Sequence, residues 1–190
     1  MPDRFPTPES AESFTSSFLA AYPPDPAAGA PFTNSPDTFG QPEQYKRLAA
    51  ITTDSIYVEA WTEYLHTFSR DPNTKIWGIL FEEPIPGAPP ELGVQHASDL
   101  VFYFPTLLGE EADPRTHGAG DLVERVQAAL VRFVAEGDPN AGETEGLWPR
   151  FEEGKKEKVV ALDRAGVREV DLPRRKGLEL LREGLRPEGL

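Results

Sequence analysis

Lys75-Ile-Trp-Gly-Ile-Leu-Phe-Glu82 is the stretch on which the fold turns. It is short, β-branched and aromatic, and apolar on both faces. Such a run reads as a strand covered above and below, in a parallel sheet flanked by helices. The chain offers few other runs that could lie beside it. A single double-sided strand cannot satisfy its own backbone groups or bury both faces. The expected class is therefore α/β with an incomplete sheet, few strands, mostly helices and long loops, and a hairpin near the C-terminal end.

Upstream of that strand, Pro42 to Phe68 is helical in pattern. Tyr45, Leu48, Ala49, Ile51, Ile56, Tyr57, Ala60, Trp61, Tyr64, Leu65 and Phe68 recur at three- and four-residue steps. Thr52-Thr53-Asp54-Ser55 offers capping oxygens in the middle, which predicts two helices broken near Asp54. The second, 55–68, is apolar around much of its circumference and is expected to be buried on more than one side. Residues 1–43 are rich in proline and serine. They predict one short helix, capped by Ser10 and stopped by Pro23 and Pro24, followed by a loop over 27–40 that Phe32 and Phe39 pack against something. Downstream, Gly93 to Phe104 reads as a loop and then a short apolar helix or turn, started by Ser98 or Asp99 and ended by Pro105. Asp121 to Ala135 is the clearest helix, with Leu122, Val126, Ala129, Leu130, Phe133 and Val134 as its stripe and Gly137 as its stop. Lys158–Leu162 and Val167–Val170 form a hairpin about Asp163–Gly166. A polar, charge-rich helix over 174–185 closes the chain. The sequence is thus divided into 1–43 (irregular, with a short helix), 44–136 (helix, strand, histidine loop, helix) and 137–190 (loop, hairpin, terminal helix).

The chain has 190 residues and a formal charge of −13, with a sequence pI near 4.7. That balance opposes nucleic-acid binding, which needs a basic face, and equally opposes anionic membranes. With no cysteine, disulfides, thiolate nucleophiles and cysteine metal sites are excluded. The lack of cysteine fits a reducing, cytoplasmic setting. The first residues contain no apolar run of signal-peptide type, and no stretch approaches a membrane span of ~20 residues.

Few constellations could carry chemistry. His66, His96 and His117 lie far apart, and the loop Asp138–Glu143 lacks the fifth ligand and turn glycine of a calcium loop, so no metal site is expected. No phosphate-binding glycine motif occurs, and no cofactor is implied. The adjacent pairs Glu82-Glu83, Glu110-Glu111 and Glu152-Glu153 read as solvated surface charge, because neighbouring side chains diverge. None of the eight serines has glycine two residues before and two after it, so the strand-to-helix elbow of a serine hydrolase is absent from the sequence.

His96 is different. Gly93-Val-Gln-His96-Ala-Ser-Asp99 places it on a loop between the central strand and a short apolar helix. Functional groups in α/β sheets gather on loops beyond the carboxyl ends of strands. The stretch resembles the histidine region of type B carboxylesterases, the cholinesterase-like branch of the α/β-hydrolases. Gly93, His96, Asp99 and Phe102-Tyr-Phe104 match in order, with Ala97 standing where that family often has glycine. Phe133-Val-Ala-Glu-Gly-Asp-Pro-Asn140, Trp148-Pro-Arg-Phe151, the hairpin behind it, Asp54 opening a helix, and the aromatic strand 76–81 extend the likeness over about 45–170.

The resemblance implies that His96 is the catalytic histidine and that the chain is the C-terminal portion of a carboxylesterase domain. Its serine, acid and oxyanion donors would lie upstream. Glu9 and Glu12 fall nearest the expected place of the acid but lack its glycine context, and neither is assigned. Asp99, at the start of the short helix, is expected to cap backbone donors and support the histidine loop. A small ester is implied as substrate only when the upstream half is present. Alone, the chain is expected to be inactive and to self-associate through uncovered apolar surface. A non-catalytic interaction protein derived from a carboxylesterase is the alternative.

Overall fold

The computed structural model describes residues 5–29, 35–143, 148–171 and 175–185. Phe32 and the start of the predicted terminal helix fall outside them. The chain divides into two compact units, Met1–Tyr64 with Leu172–Leu190, and Leu65–Asp171.

The first unit is helical. α1 (Pro8–Ala21) is capped by Thr7, whose side chain accepts from the Ser10 backbone N–H while the Ser10 side chain accepts from the Thr7 N–H. Ser10 was expected to be the cap. It is instead the reciprocal partner three residues in, because Pro8, lacking an N–H, suits the first helical position. After Pro26–Ala28, a single tight turn, Gly29, Ser35 and Phe39 lie against α2 (Tyr45–Thr53) at Lys46. The Lys46 ammonium is buried. It donates to the Ser35 carbonyl at 2.7 Å and lies 5.6 Å from the centre of the Phe39 ring. That contact gives Phe39 the packing partner its apolar ring requires. Gly29 leaves no space there for a side chain, since a Cβ would stand 2.9 Å from the Lys46 carbonyl oxygen.

The expected break near Asp54 is not a break. A π-helical turn, Asp54–Val58, joins α2 to α3 (Glu59–Ser69), and the Glu59 N–H bonds back to the Asp54 carbonyl. Of the oxygens read as caps, the Ser55 hydroxyl bonds backward instead, as Thr62 does further along. Ser55 donates to the Ile51 carbonyl and Thr62 to the Val58 carbonyl. Such back-bonding keeps the oxygens on the helix and leaves the path continuous. The extra residue of the π turn accompanies a fully buried Asp54 carboxylate that accepts from the Tyr22 hydroxyl at 3.0 Å. The faces of 55–68 expected to be buried are partly open: Ile56, Tyr57, Tyr64 and Phe68 are exposed.

α6 (Arg175–Leu185), read as polar, has an apolar side: Gly177, Leu178 and Leu181 are buried, and the two leucines pack in one cluster with Tyr22, Ala50 and Val58. Glycine lets it approach α1. A Cβ on Gly177 would meet the Tyr22 hydroxyl at 2.6 Å, and one on Gly184 would meet the Phe14 ring at 2.6 Å.

The second unit holds the sheet. β1 (Ile79–Phe81) pairs in parallel with β2 (Lys158–Asp163), which pairs antiparallel with β3 (Gly166–Asp171), in the order β1-β2-β3. Ile79 stands opposite Val160 and Phe81 opposite Leu162. The mixed helix-and-strand chain with its incomplete three-stranded sheet is a partial α/β fold. β1 is shorter than the predicted 75–82, with only a single bridge from Trp77 to Arg150 before it. It also lies at an edge of the described sheet, and the central, buried strand is β2.

On one face of the sheet lies α5 (Gly120–Glu136), ended by Gly137 in the left-handed conformation at φ +68°. Leu122, Val123, Val126 and Ala129 pack with Val160, Leu162, Trp77, Ile79 and Phe81. Leu130, Phe133 and Val134, expected in the same stripe, are exposed. A 17-residue helix is about 25 Å long, and the short strands do not cover its last turns. Asn140 closes the loop behind α5. Its amide donates to the Trp148 carbonyl at 2.9 Å and its side-chain oxygen accepts from the Trp148 N–H at 2.7 Å.

Candidate functional site

The chain leaves β1 at its carboxyl end and reaches His96 through Pro84–Gln95. The Glu82 N–H still bonds to the Leu162 carbonyl at 2.7 Å, so sheet pairing extends one residue past the strand. Ile85 packs against the core, after which Gly87 turns the chain outward at φ +75°. Pro90–Leu92 makes one tight helical turn, ended by Gly93.

Gly93 is buried, with φ +56° and ψ −140°, a backbone region open essentially to glycine alone. It redirects the chain so that Val94 to Ser98 form a turn with His96 exposed at its apex. The turn is closed by Ser98, which is buried. Its N–H bonds to the Gln95 carbonyl at 3.1 Å, and its hydroxyl donates to the same oxygen at 2.7 Å. Ala97 has φ +67°. A non-glycine residue in that region pays a steric cost of ~1–2 kcal/mol, which is the physical reason glycine suits the place after the histidine.

Asp99 occupies the cap position of α4 (Leu100–Tyr103), but its side chain makes no capping hydrogen bond. The expected carboxylate cap is corrected accordingly: its backbone carbonyl serves, accepting from the N–H groups of Phe102 at 2.9 Å and Tyr103 at 3.1 Å. With φ −64° and ψ −26°, Asp99 is already helical, and a side chain on such a backbone does not reach the N–H groups ahead. Its charge is felt at Tyr103, whose hydroxyl is pushed above its ordinary pKa by burial first and by Asp99 second. α4 is held by Val101 and Phe102, both buried, with the Phe102 ring 4.9 Å from that of Phe81.

The other histidines are placed differently. His66 sits on α3, edge-on to the Phe151 ring at 5.3 Å, with Nδ1 3.5 Å from Glu153. His117 Nε2 is 2.8 Å from the Glu111 carbonyl in a separate loop. The structure brings neither to His96. A half-open apolar cavity of about 300 Å³, lined in part by Ile76, Trp77, Leu130, Phe133 and Trp148, does not include His96 either.

Of the two carboxylates at the exit of β1, only Glu83 departs from the expected surface charge. Glu82 is exposed and pairs with Arg168, but Glu83 is only 3 % exposed and pairs with Arg164. Adjacent side chains do diverge, and divergence here sends one of them inward. Glu153 likewise accepts two hydrogen bonds from Arg70, which hold its carboxyl below the ordinary carboxylate range.

Gly93→Ala is expected to cost ~1–3 kcal/mol of stability, because no L-side chain sits easily at that backbone conformation. Ala97→Gly is expected to change it by less than about 1 kcal/mol, since relief of left-handed strain opposes the added freedom of the unfolded chain. Urea unfolding of the two variants checks both. A Gly93→Ala protein as stable as the parent would show that the turn before His96 is not fixed by its backbone.

A model of the carboxylesterase family matches residues 27–178. No curated protein matches the chain.

Proposed function

The chain belongs to the carboxylesterase family, and on that premise we propose that it serves the hydrolysis of carboxylic esters by the acyl-serine route, in the manner of type B carboxylesterases, with His96 as general base and acid. The observation that carries this reading is the turn Gly93–Ser98. It presents an exposed imidazole beyond the carboxyl end of a strand in parallel pairing, where α/β sheets collect functional groups. In this role the imidazole takes the proton of a serine hydroxyl as it attacks the ester carbonyl. It then returns that proton to the departing alcohol.

Within these 190 residues no serine has the glycine-flanked elbow, and no acid is assigned. The proposal therefore assigns the chain the histidine-bearing portion of the site, active only together with a segment that supplies the serine, the acid and the oxyanion donors. Without those groups a histidine can form no acyl intermediate. The 190-residue chain alone is expected to hydrolyse a short-chain nitrophenyl ester no faster than buffer. Turnover by the isolated chain that a serine-directed phosphonate abolishes would overturn this assignment.

A non-catalytic interaction role is the second reading. It is favoured by large apolar side chains left exposed in each unit, Leu48, Ile56 and Tyr64 in the first and Val131 and Val134 in the second. A chain that remains inactive after the serine-bearing segment is supplied supports it.

A further inference from the structure

We propose that Glu83 and Arg164 form a positioning pair that fixes where the His96 loop leaves the sheet; the inference rests on the reading of His96 as the general base. Glu83 is the second residue past β1, and Arg164 lies in the two-residue turn between β2 and β3, 81 positions away. The Glu83 carboxylate accepts three hydrogen bonds from that one residue. The Arg164 backbone N–H donates to Oε2 at 3.0 Å, Nε donates to Oε1 at 2.8 Å, and Nη2 donates to Oε1 as well. The acceptor is 3 % exposed, so water is a poor substitute for any of these donors.

The turn that carries Arg164 is itself fixed. The Asp163 carboxylate accepts from the N–H groups of Ala165 at 2.8 Å and Gly166 at 3.2 Å, and from Arg168. A held carboxylate on a held turn defines the direction of Pro84, and from there the loop runs to Gly93. At its far end the loop is anchored by Val101 and Phe102 in the core. Between these anchors, Ile85 is the main apolar contact. The placing of His96 thus depends on both ends, and the near end depends on Glu83. Sheet pairing does not need the pair, because β1 is already joined to β2 by its own backbone bonds.

The test uses the whole chain and its three histidines, whose imidazole carbons give three separate NMR signals. Glu83→Gln keeps the shape but turns an amide N–H₂ toward a donor. It is expected to shift or broaden the His96 signal and leave those of His66 and His117 in place. Amides of 84–98 should exchange about tenfold faster or more, the loss of one charge-assisted hydrogen bond. Those of α5 should keep their rates. Arg164→Ala should do the same. Lys158→Ala, which breaks the exposed pair with Asp171 at the other end of the hairpin, should leave His96 unchanged. If Glu83→Gln does not fold, Arg164→Lys carries the same expectation, since it keeps the charge and the main-chain bond but loses the fork. A His96 signal and loop exchange that stay unchanged in these variants would overturn the proposal. So would a uniform change across all three histidines and α5, which marks general loosening. These readouts follow the loop whether or not His96 is the base, so the failure of one reading is distinct from the failure of the other.

Discussion

Replacing His96 by alanine is expected to lower ester turnover about 10⁴-fold or more in an enzyme reconstituted from this chain and a serine-bearing segment. The effect is large because the imidazole acts twice, as base in acylation and as acid toward the leaving alcohol, and no neighbouring group can take its place. His66 is engaged with Phe151 and Glu153, and His117 lies by the Glu111 carbonyl. His66→Ala and His117→Ala should therefore alter stability at most. KM should change little in His96→Ala, since the proton carrier binds no part of the ground-state ester. Asp99→Ala should weaken turnover less than His96→Ala, because its carboxylate makes no cap and its backbone carbonyl survives the substitution. Steady-state kinetics on a short-chain nitrophenyl ester, with a phosphonate titration to count competent serines, separates lost chemistry from lost assembly. A reconstituted enzyme that works equally well without His96 would remove the chemical content of the assignment.

The local signals along the chain were the legible ones. The hairpin, the long helix before Gly137 and the turn with His96 each announce themselves within a dozen residues, through glycine, a cap or a period. The family resemblance ran over the same stretches because those local phrases repeat in order. What stayed hidden depends on partners distant in sequence. β1 looks like a central strand by composition, yet its described neighbour is β2, about 80 residues later, joined in parallel. The π turn at Asp54 was hidden because threonine and serine hydroxyls serve caps and backward bonds equally well. The buried contact with Tyr22, 32 positions away, goes with the π turn.

The same limit applies to the candidate site. Glycine at 93 and the residue after His96 carry a backbone signal that sequence can show. Ser98, read with Asp99 as a possible start of the short helix, instead closes the turn through its hydroxyl, as a serine two residues beyond the histidine can do. Glu83 was missed for a different reason. Burial of one member of an acidic pair is decided by the guanidinium it meets, and Arg164 sits in a turn whose spatial position follows from sheet order alone. The terminal helix shows this for packing. Gly177 and Gly184 lower helix propensity, yet they are where α6 approaches Tyr22 and Phe14.

Phe102→Ala is expected to cost ~3–5 kcal/mol of stability, a large part of the ~5–15 kcal/mol that holds an ordinary domain together. Phe102 is fully buried and its ring lies tilted against that of Phe81, so its removal leaves a cavity between α4 and β1 as well as losing the transfer free energy of the ring. A helix of 4 residues has almost no stability of its own, and α4 persists because Val101 and Phe102 are held in the core. Truncating the ring should thus also release the far anchor of the His96 loop. Phe102→Leu keeps most of the volume and should cost well under the alanine figure, whereas Leu100→Ala, at an exposed position one residue from the core, should change stability by no more than about 0.5 kcal/mol. Urea unfolding with a constant slope distinguishes these from a change in the unfolded state. Hydrogen exchange adds the functional link: in Phe102→Ala the amides of 94–103 should open before those of α5. A loss below about 1 kcal/mol, with that segment still protected, would mean that the short helix is held by something other than its aromatic anchor, and that the histidine turn does not depend on the core behind it.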